Sequence, residues 1–350
     1  MSRRHWDESQ FTDRPSRRGS RPRTKVRPEH ADAVRGMVVG VDRGRYTLVV
    51  DLDTDDERQI TAMRARELGR TRIVCGDRVD VVGDVSGDEG TLSRIVRVAE
   101  RTTVLRRTAD DTDPFERVIV ANADQLVIVT ASADPEPRPR MIDRCVVAAY
   151  DAGLDVLLCM TKTDLADPEP IVQFYRNLDI PVLTTSQASD GSIDGLAAVR
   201  AQLSGRTSVF VGHSGVGKST LVNALVPGTD RATGHVNATT GRGRQTSTSA
   251  VALRLPADHV DSGWVIDTPG VRSFGLAHIS VDQIVAGFED LAEVATRCPR
   301  GCTHVATEPE CALDTWIAES PDAETTEYRT NRVDSLRRLI SSRLSDPTIN

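Results

Sequence analysis

The chain has 350 residues, 39% apolar and 4% aromatic, with a formal net charge of −7 at pH 7. That length supplies two or three compact domains, while the shortage of aromatic side chains argues against a surface that stacks many nucleobases, and the acidic balance by itself argues against a nucleic-acid partner. No run of about 18 apolar residues occurs, so nothing reads as a membrane span; the nearest stretch, Cys145 to Met160, is broken by Asp151 and Asp155.

The average conceals an asymmetry. Residues 1–30 hold nine Arg or Lys, from Arg3 to Arg27, against four acids. With few apolar side chains to bury, residues 1–33 read as a disordered basic tail, either an arm for RNA or phosphate or a solubilising extension. The tail has no apolar signal core, and a cytoplasmic location is expected from the cysteine usage. Six cysteines are present, three of them close together late in the chain. That usage fits a reduced compartment with a metal site better than a disulfide framework.

Short β-branched runs follow at Val34–Val41, Tyr46–Leu52, Gln59–Met63, Arg78–Val82 and Thr91–Val98, separated by Gly and Asp clusters. Five strands so spaced predict a small β-barrel over 34–105, of OB type or, alternatively, an SH3-like barrel used as a protein-contact module. Arg64, Arg66, Arg70 and Arg72 crowd one connection, as a phosphate-contacting or a solvated face.

The pattern then changes. Apolar strands at Val118–Asn122, Gln125–Thr130, Asp155–Met160, Pro181–Thr185, Thr207–Gly212 and Gly263–Asp267 alternate with helical stretches such as Arg140–Gly153. This predicts a doubly wound, mostly parallel α/β sheet over 106–280. Residues 281–350 read as a helical module interrupted by a Cys/His cluster.

Gly212-His213-Ser214-Gly215-Val216-Gly217-Lys218-Ser219 matches G-x-x-x-x-G-K-[ST], with a strand leading in and a helix, from Thr220, leading out. Such a loop curls so that its N–H groups face phosphate oxygens, aided by the helix N-terminus. Lys218 is placed to reach the β- and γ-phosphates, and Ser219 to ligate Mg²⁺. Val265-Ile-Asp-Thr-Pro-Gly270 puts Asp267 at a strand end, where it holds Mg²⁺ through water, and offers the Gly270 N–H to the γ-phosphate. Thr161-Lys162-Thr163-Asp164 ends another strand and is similar to the N-K-x-D motif of GTPases, with Thr for Asn. The Asp164 carboxylate accepts from guanine N1–H and the exocyclic amine, donors that adenine lacks. Lys162 lies along the base plane, and Ser186 is a candidate for the loop touching the guanine oxygen. An ordinary GTPase presents the phosphate loop, the switch threonine, D-x-x-G and then N-K-x-D. Here the base motif comes first, so the order is circularly permuted.

With these motifs the chain resembles the RsgA family (also called YjeQ or YloQ), the small-ribosomal-subunit-dependent GTPases, over residues 34–345. The resemblance rests on the barrel, the permuted order, Gly212–Thr220, Asp267-Thr-Pro-Gly-Val-Arg-Ser-Phe-Gly275 and the late Cys/His module. It implies an enzyme that binds the small subunit late in its maturation, hydrolyses GTP to GDP when bound there, and then leaves; a monomer is expected, though the sequence leaves oligomeric state open. It also implies that the barrel and the Cys/His module touch ribosomal RNA. By the same resemblance, Gly241–Thr248 is the first switch and Thr246 closes on Mg²⁺ and the γ-phosphate, with Thr248 the fallback. Many members carry His before that threonine. Here Gln245 stands there, and an amide orients water without taking a proton.

Cys298, Cys302, His304 and Cys311 are separated by three, one and six residues. Members usually have one residue more in the first gap and one fewer in the last, so the total span agrees. Cys₃His is a closed tetrahedral set suited to one structural zinc ion, stapling a segment too small to bury its own core. In the final helical stretch, Ala323–Leu344, an apolar stripe (Val333, Leu336, Leu339, Ile340, Leu344) predicts packing. Arg329, Arg332, Arg337, Arg338 and Arg343 form either an RNA face or a solvated one. Other readings stay open from sequence: large-subunit assembly, a nucleotide-gated RNA-binding module without turnover, and an ATPase with a chance base motif.

Overall fold

The computed structural model describes residues 30–108, 116–228, 250–256, 263–268, 274, 276 and 279–344. Residues 1–29 of the basic tail therefore lie outside the described residues.

Strands β1 (Val34–Asp42), β2 (Arg45–Val50), β3 (Arg58–Arg64), β4 (Arg78–Gly83) and β5 (Ser93–Val98) pair in the order β1-β2-β3-β5-β4. β4 returns to β1, and β3 runs parallel to β5. The sheet is thus closed with Greek-key connections, the OB-type alternative of the two barrels considered. Period-two alternation fills its interior with Val38, Leu48, Val50, Ile60, Ala62, Val79, Val81 and Ile95. One charged side chain closes the barrel floor. Asp77 is fully buried, accepts the Val74 N–H at 2.8 Å, and takes a two-pronged contact from Arg101 at 2.7 and 2.9 Å.

A hairpin of β6 (Val104–Thr108) and β7 (Glu116–Ala121) follows. The sequence pattern missed β6, whose polar Arg106-Arg-Thr end reads as a connection until its partner is known. Gly76 packs onto β7: its φ is +87°, and an added Cβ would lie 2.0 Å from the Ala121 carbonyl oxygen. Gly76→Ala is expected to destabilise the fold by about 3 kcal/mol or more, read from chemical denaturation.

The α/β part comprises β8 (Gln125–Ala131), α1 (Pro139–Asp151), β9 (Asp155–Thr161), α2 (Glu169–Tyr175), β10 (Val182–Thr184), β11 (Ser186–Gln187), β12 (Ile193–Asp194), α3 (Leu196–Leu203), β13 (Thr207–Gly212), α4 (Lys218–Leu225), β14 (Val251–Arg254) and β15 (Trp264–Asp267). Its strands lie in the order β10-β9-β8-β13-β15-β14, parallel throughout except for β14. Alternate residues serve opposite faces. Leu126, Ile128, Leu158 and Val209 join α1 on one side, while Val127, Leu157, Phe210 and Val265 join α3 and α4 on the other. β14 was not legible in the sequence. It pairs with β15 on one edge and, through Gly40 and Val251, with β1 on the other. Arg254 adds ion pairs to Asp53 and Glu57 of the barrel.

Helices α5 (Val281–Ala286), α6 (Glu289–Ala295), α7 (Ala312–Ala318) and α8 (Ala323–Leu344) complete the chain. A Ser280–Gln283 capping box starts α5. On α8, Val333, Leu336, Leu339 and Ile340 are fully buried and share one apolar cluster with α1 and the sheet. The arginines of α8 are bonded within the fold rather than displayed as a solvated face. Arg329 donates to the Trp316 carbonyl at 2.5 Å, Arg337 to Asp314 at 2.8 Å and Arg343 to the Ile279 carbonyl at 2.5 Å. Arg338 pairs with Asp143 at 3.3 Å and lies over Phe174. Arg332 pairs with Asp290 and Asp179, both at 3.0 Å, and stacks on Phe288. The aliphatic stems pack while the heads find internal acceptors. Arg332→Ala is expected to cost about 2 kcal/mol in denaturant unfolding, at the low end for a buried pair, because Asp290 keeps a third of its side chain in water.

Candidate functional site

β13 is apolar and buried on both faces, so it carries its C-terminal end to the rim of the sheet. The chain turns there through residues 213–217. Gly217 sits at φ +88° immediately before α4, a left-handed conformation natural to glycine. Lys218 opens α4, and its Nζ is ion-paired with Asp267 Oδ1 at the end of β15. Register explains the meeting, since Phe210 of β13 lies opposite Asp267. Thr268 then donates its hydroxyl to the Phe210 carbonyl at 2.7 Å. Asp267 is 3% exposed, a buried acid kept beside a cation.

The end of β9 lies two strands from β13, across β8. Thr161 is buried, and its hydroxyl donates to the Val216 carbonyl of the turn. Thr in place of Asn thus braces the phosphate-type loop from behind. Lys162 adopts φ +56° and donates to the Asp134 carbonyl. Thr163 N–H reaches the Thr185 carbonyl at 3.3 Å, joining the Thr161–Asp164 turn to the segment holding Ser186. Asp164 is exposed, and Ser186 lies 3.5 Å from Asp194.

Residues from four strand ends, β8, β9, β13 and β15, therefore converge at the carboxyl rim of a mostly parallel sheet, where open α/β folds bind ligands. His213, Ser214, Gly215, Val216, Gly217, Ser219 and Thr220 lie in the turn and the first residues of α4. Gln245, Thr246, Thr248 and Gly270 lie outside the described residues. The sequence reading did not single out Asp134, Arg138 or Thr185. Their one signal was position: Asp134 and Thr185 follow the ends of β8 and β10, and Arg138 immediately precedes α1.

A second constellation lies between α6 and α8. Cys298, Cys302 and Cys311 Sγ are 3.6, 3.5 and 3.7 Å from His304 Nδ1, and the Cys298 and Cys311 sulfurs are 4.0 Å apart. All four donor atoms lie within 4.8 Å of one another. Metal–sulfur bonds of about 2.3 Å and metal–nitrogen bonds of about 2.0 Å give tetrahedral edges of roughly 3.5–3.8 Å, so these residues fit a metal ion. Burial lowers the pKa of His304 and favours the neutral imidazole that ligates. The Ala312 N–H points at Cys298 Sγ from 3.2 Å, and Arg337 holds the His304 carbonyl at 3.1 Å.

The sequence family described as RsgA GTPase matches residues 98–277. The small ribosomal subunit biogenesis GTPase RsgA of Ectopseudomonas mendocina is 44% identical over 202 residues, 56% of this chain and 56% of that protein. The protein of the same name from Nitrosospira multiformis is 35% identical over 315 residues, 88% of this chain and 91% of its own length. Among solved structures, YjeQ from Thermotoga maritima superposes with a TM-score of 0.63 over 89% of this chain and 99% of its own, at 24% identity, a likeness of fold. Barrel, permuted motif order and sequence agree, and the chain belongs to the RsgA GTPase family.

Proposed function

We propose that this protein hydrolyses GTP on the small ribosomal subunit and assists its late maturation, hydrolysis being stimulated by the subunit and coupled to release. The names of its relatives motivate the partner. The observation that carries the chemistry is the convergence of Lys218, Asp267 and the Thr161–Asp164 turn on one rim.

In this reading the N–H groups of residues 213–217 cradle the phosphates, and Lys218 leaves Asp267 to span the β- and γ-phosphates. Ser219, Thr246 and, through water, Asp267 hold Mg²⁺, hard oxygen donors for a hard cation. When bound, it would supply positive charge against the phosphates. Asp164 reads guanine with Lys162 and Ser186 in support. Gln245 orients the attacking water, and the Gly270 N–H meets the γ-phosphate. The Cys₃His set would hold one structural zinc ion, which would supply a cross-link rather than chemistry. The division into tail (1–33), barrel (34–105), GTPase (106–280) and metal-binding module (281–350) belongs to the same proposal. So do ribosomal RNA contacts by the barrel, a monomeric state and a cytoplasmic location. No helix among the described residues is long and apolar enough to cross a membrane.

The test is phosphate release from GTP by the protein alone, with small subunits and with large subunits, ATP serving as control. Stimulation by small subunits alone is expected. Equal stimulation by both subunits, or equal use of ATP, defeats the proposal. Thr161→Val, which deletes the bond to Val216, is expected to weaken GDP binding about five- to tenfold, one hydrogen bond's worth, in a fluorescent-nucleotide titration.

A further inference from the structure

The loop after β8 is seated on the turn between β13 and α4. Lys162 Nζ donates to the Asp134 carbonyl. Pro135 lies against Gly215, where an added Cβ would come 3.6 Å from its Cδ. Arg138, the residue before α1, places Nη1 3.1 Å from His213 Nε2. Asp134 and Lys162 are both held at positive φ, +44° and +56°. Non-glycine residues pay for that conformation, and it clusters at ligand sites.

The contacts of His213 assign roles to its two ring nitrogens. Its Nδ1 lies 3.1 Å from the Ser214 carbonyl. A carbonyl only accepts, so Nδ1 carries the proton and Nε2 is left to accept from Arg138. Arg138 is exposed, and no carboxylate lies within ion-pair distance of it among the described residues. A guanidinium has five donors. Here it rests on an imidazole at the edge of a turn built for anions, with no carboxylate partner among the described residues.

We infer that Arg138 is a phosphate-binding residue, supplied in cis by the loop after β8, that contacts the diphosphate portion common to GTP and GDP. The inference rests on the nucleotide site proposed above. Strand order selects the diphosphate. The nucleotide spans from the base motif at the end of β9 to Asp267 at the end of β15, and β8 and β13 lie between them. The loop from β8 is thus on the base side of the phosphate turn, away from the β15 end where the γ-phosphate is read. A contact made equally to substrate and transition state raises affinity and leaves kcat alone.

The experiment uses the full chain as wild type, Arg138→Met and Arg138→Lys, with fluorescent GDP and a non-hydrolysable GTP analogue as probes. It adds GTP turnover kinetics and the ³¹P spectrum of bound GDP. Arg138→Met is expected to weaken both nucleotides alike, by about tenfold for a lost charge-assisted hydrogen bond. KM should rise by the same factor, kcat should stay within about twofold, and the β-phosphate resonance should shift. Arg138→Lys should recover part of the affinity, which a merely packing role would not predict. Unchanged affinities, or loss in Arg138→Lys as large as in Arg138→Met, overturn the inference. So does a fall in kcat at constant affinity, which would place Arg138 on the γ-phosphate. If the wild type binds neither nucleotide, the nucleotide site itself falls, an outcome distinct from equal binding by wild type and Arg138→Met.

Discussion

Lys218→Ala is expected to lower kcat for GTP by about 10²–10³, the cost of deleting one charged group aimed at developing negative charge. The substitution removes the cation that pairs with Asp267. It leaves the strand register and the Thr268–Phe210 bond intact, so the sheet rim is expected to keep its shape. Steady-state phosphate release with small subunits at saturating GTP reads the effect, and thermal unfolding guards against a folding defect. A variant with the wild-type kcat would remove Lys218 from the chemistry. The buried position of Asp267 sharpens the expectation. Its carboxylate loses a neighbouring counter-charge in a mostly buried setting, so Mg²⁺ affinity is expected to change as well as turnover.

The second large effect is expected at the Cys₃His cluster. Chelation, or Cys298→Ser, should release one equivalent of metal, detectable by elemental analysis or a chromogenic dye, and lower the local stability of residues 298–318 by about 5 kcal/mol or more. Structural zinc supplies folding free energy on the order of 10 kcal/mol in isolated small modules. Here part of that is carried instead by the shared apolar cluster, where Cys311, Ala312 and Leu313 pack against the same body as α8. The loss is therefore expected to be local. Hydrogen exchange should accelerate over residues 298–318, while the buried stripe of α8, with Val333, Leu336, Leu339 and Ile340 fully buried, keeps its protection. Uniform acceleration through α8 would show that the metal also holds that helix in place.

Local chemistry written in short windows was legible in the sequence. The phosphate-type turn, the strand-end acids, the five barrel strands and the cysteine spacing each depend on neighbours a few residues away. Their order along the chain was enough to detect the permutation. Strands β6 and β14 were not legible, because each is short and mixed in polarity. Each exists by virtue of a partner, β7 in one case and β15 with β1 in the other.

The sequence by itself thus determined the family-specific motifs and the fold class, because a glycine-rich turn after an apolar strand and a Cys₃His spacing carry their physics locally. Tertiary structure alone decided where the long charged side chains go. The arginines of α8 look from sequence like a surface, yet they turn inward to Asp143, Asp290, Asp314 and backbone carbonyls. Arg138 sits among prolines with no motif around it, yet it reaches His213 across 75 positions of chain. A flexible cation chooses among acceptors that only packing brings near, and that choice has no period and no spacing to read.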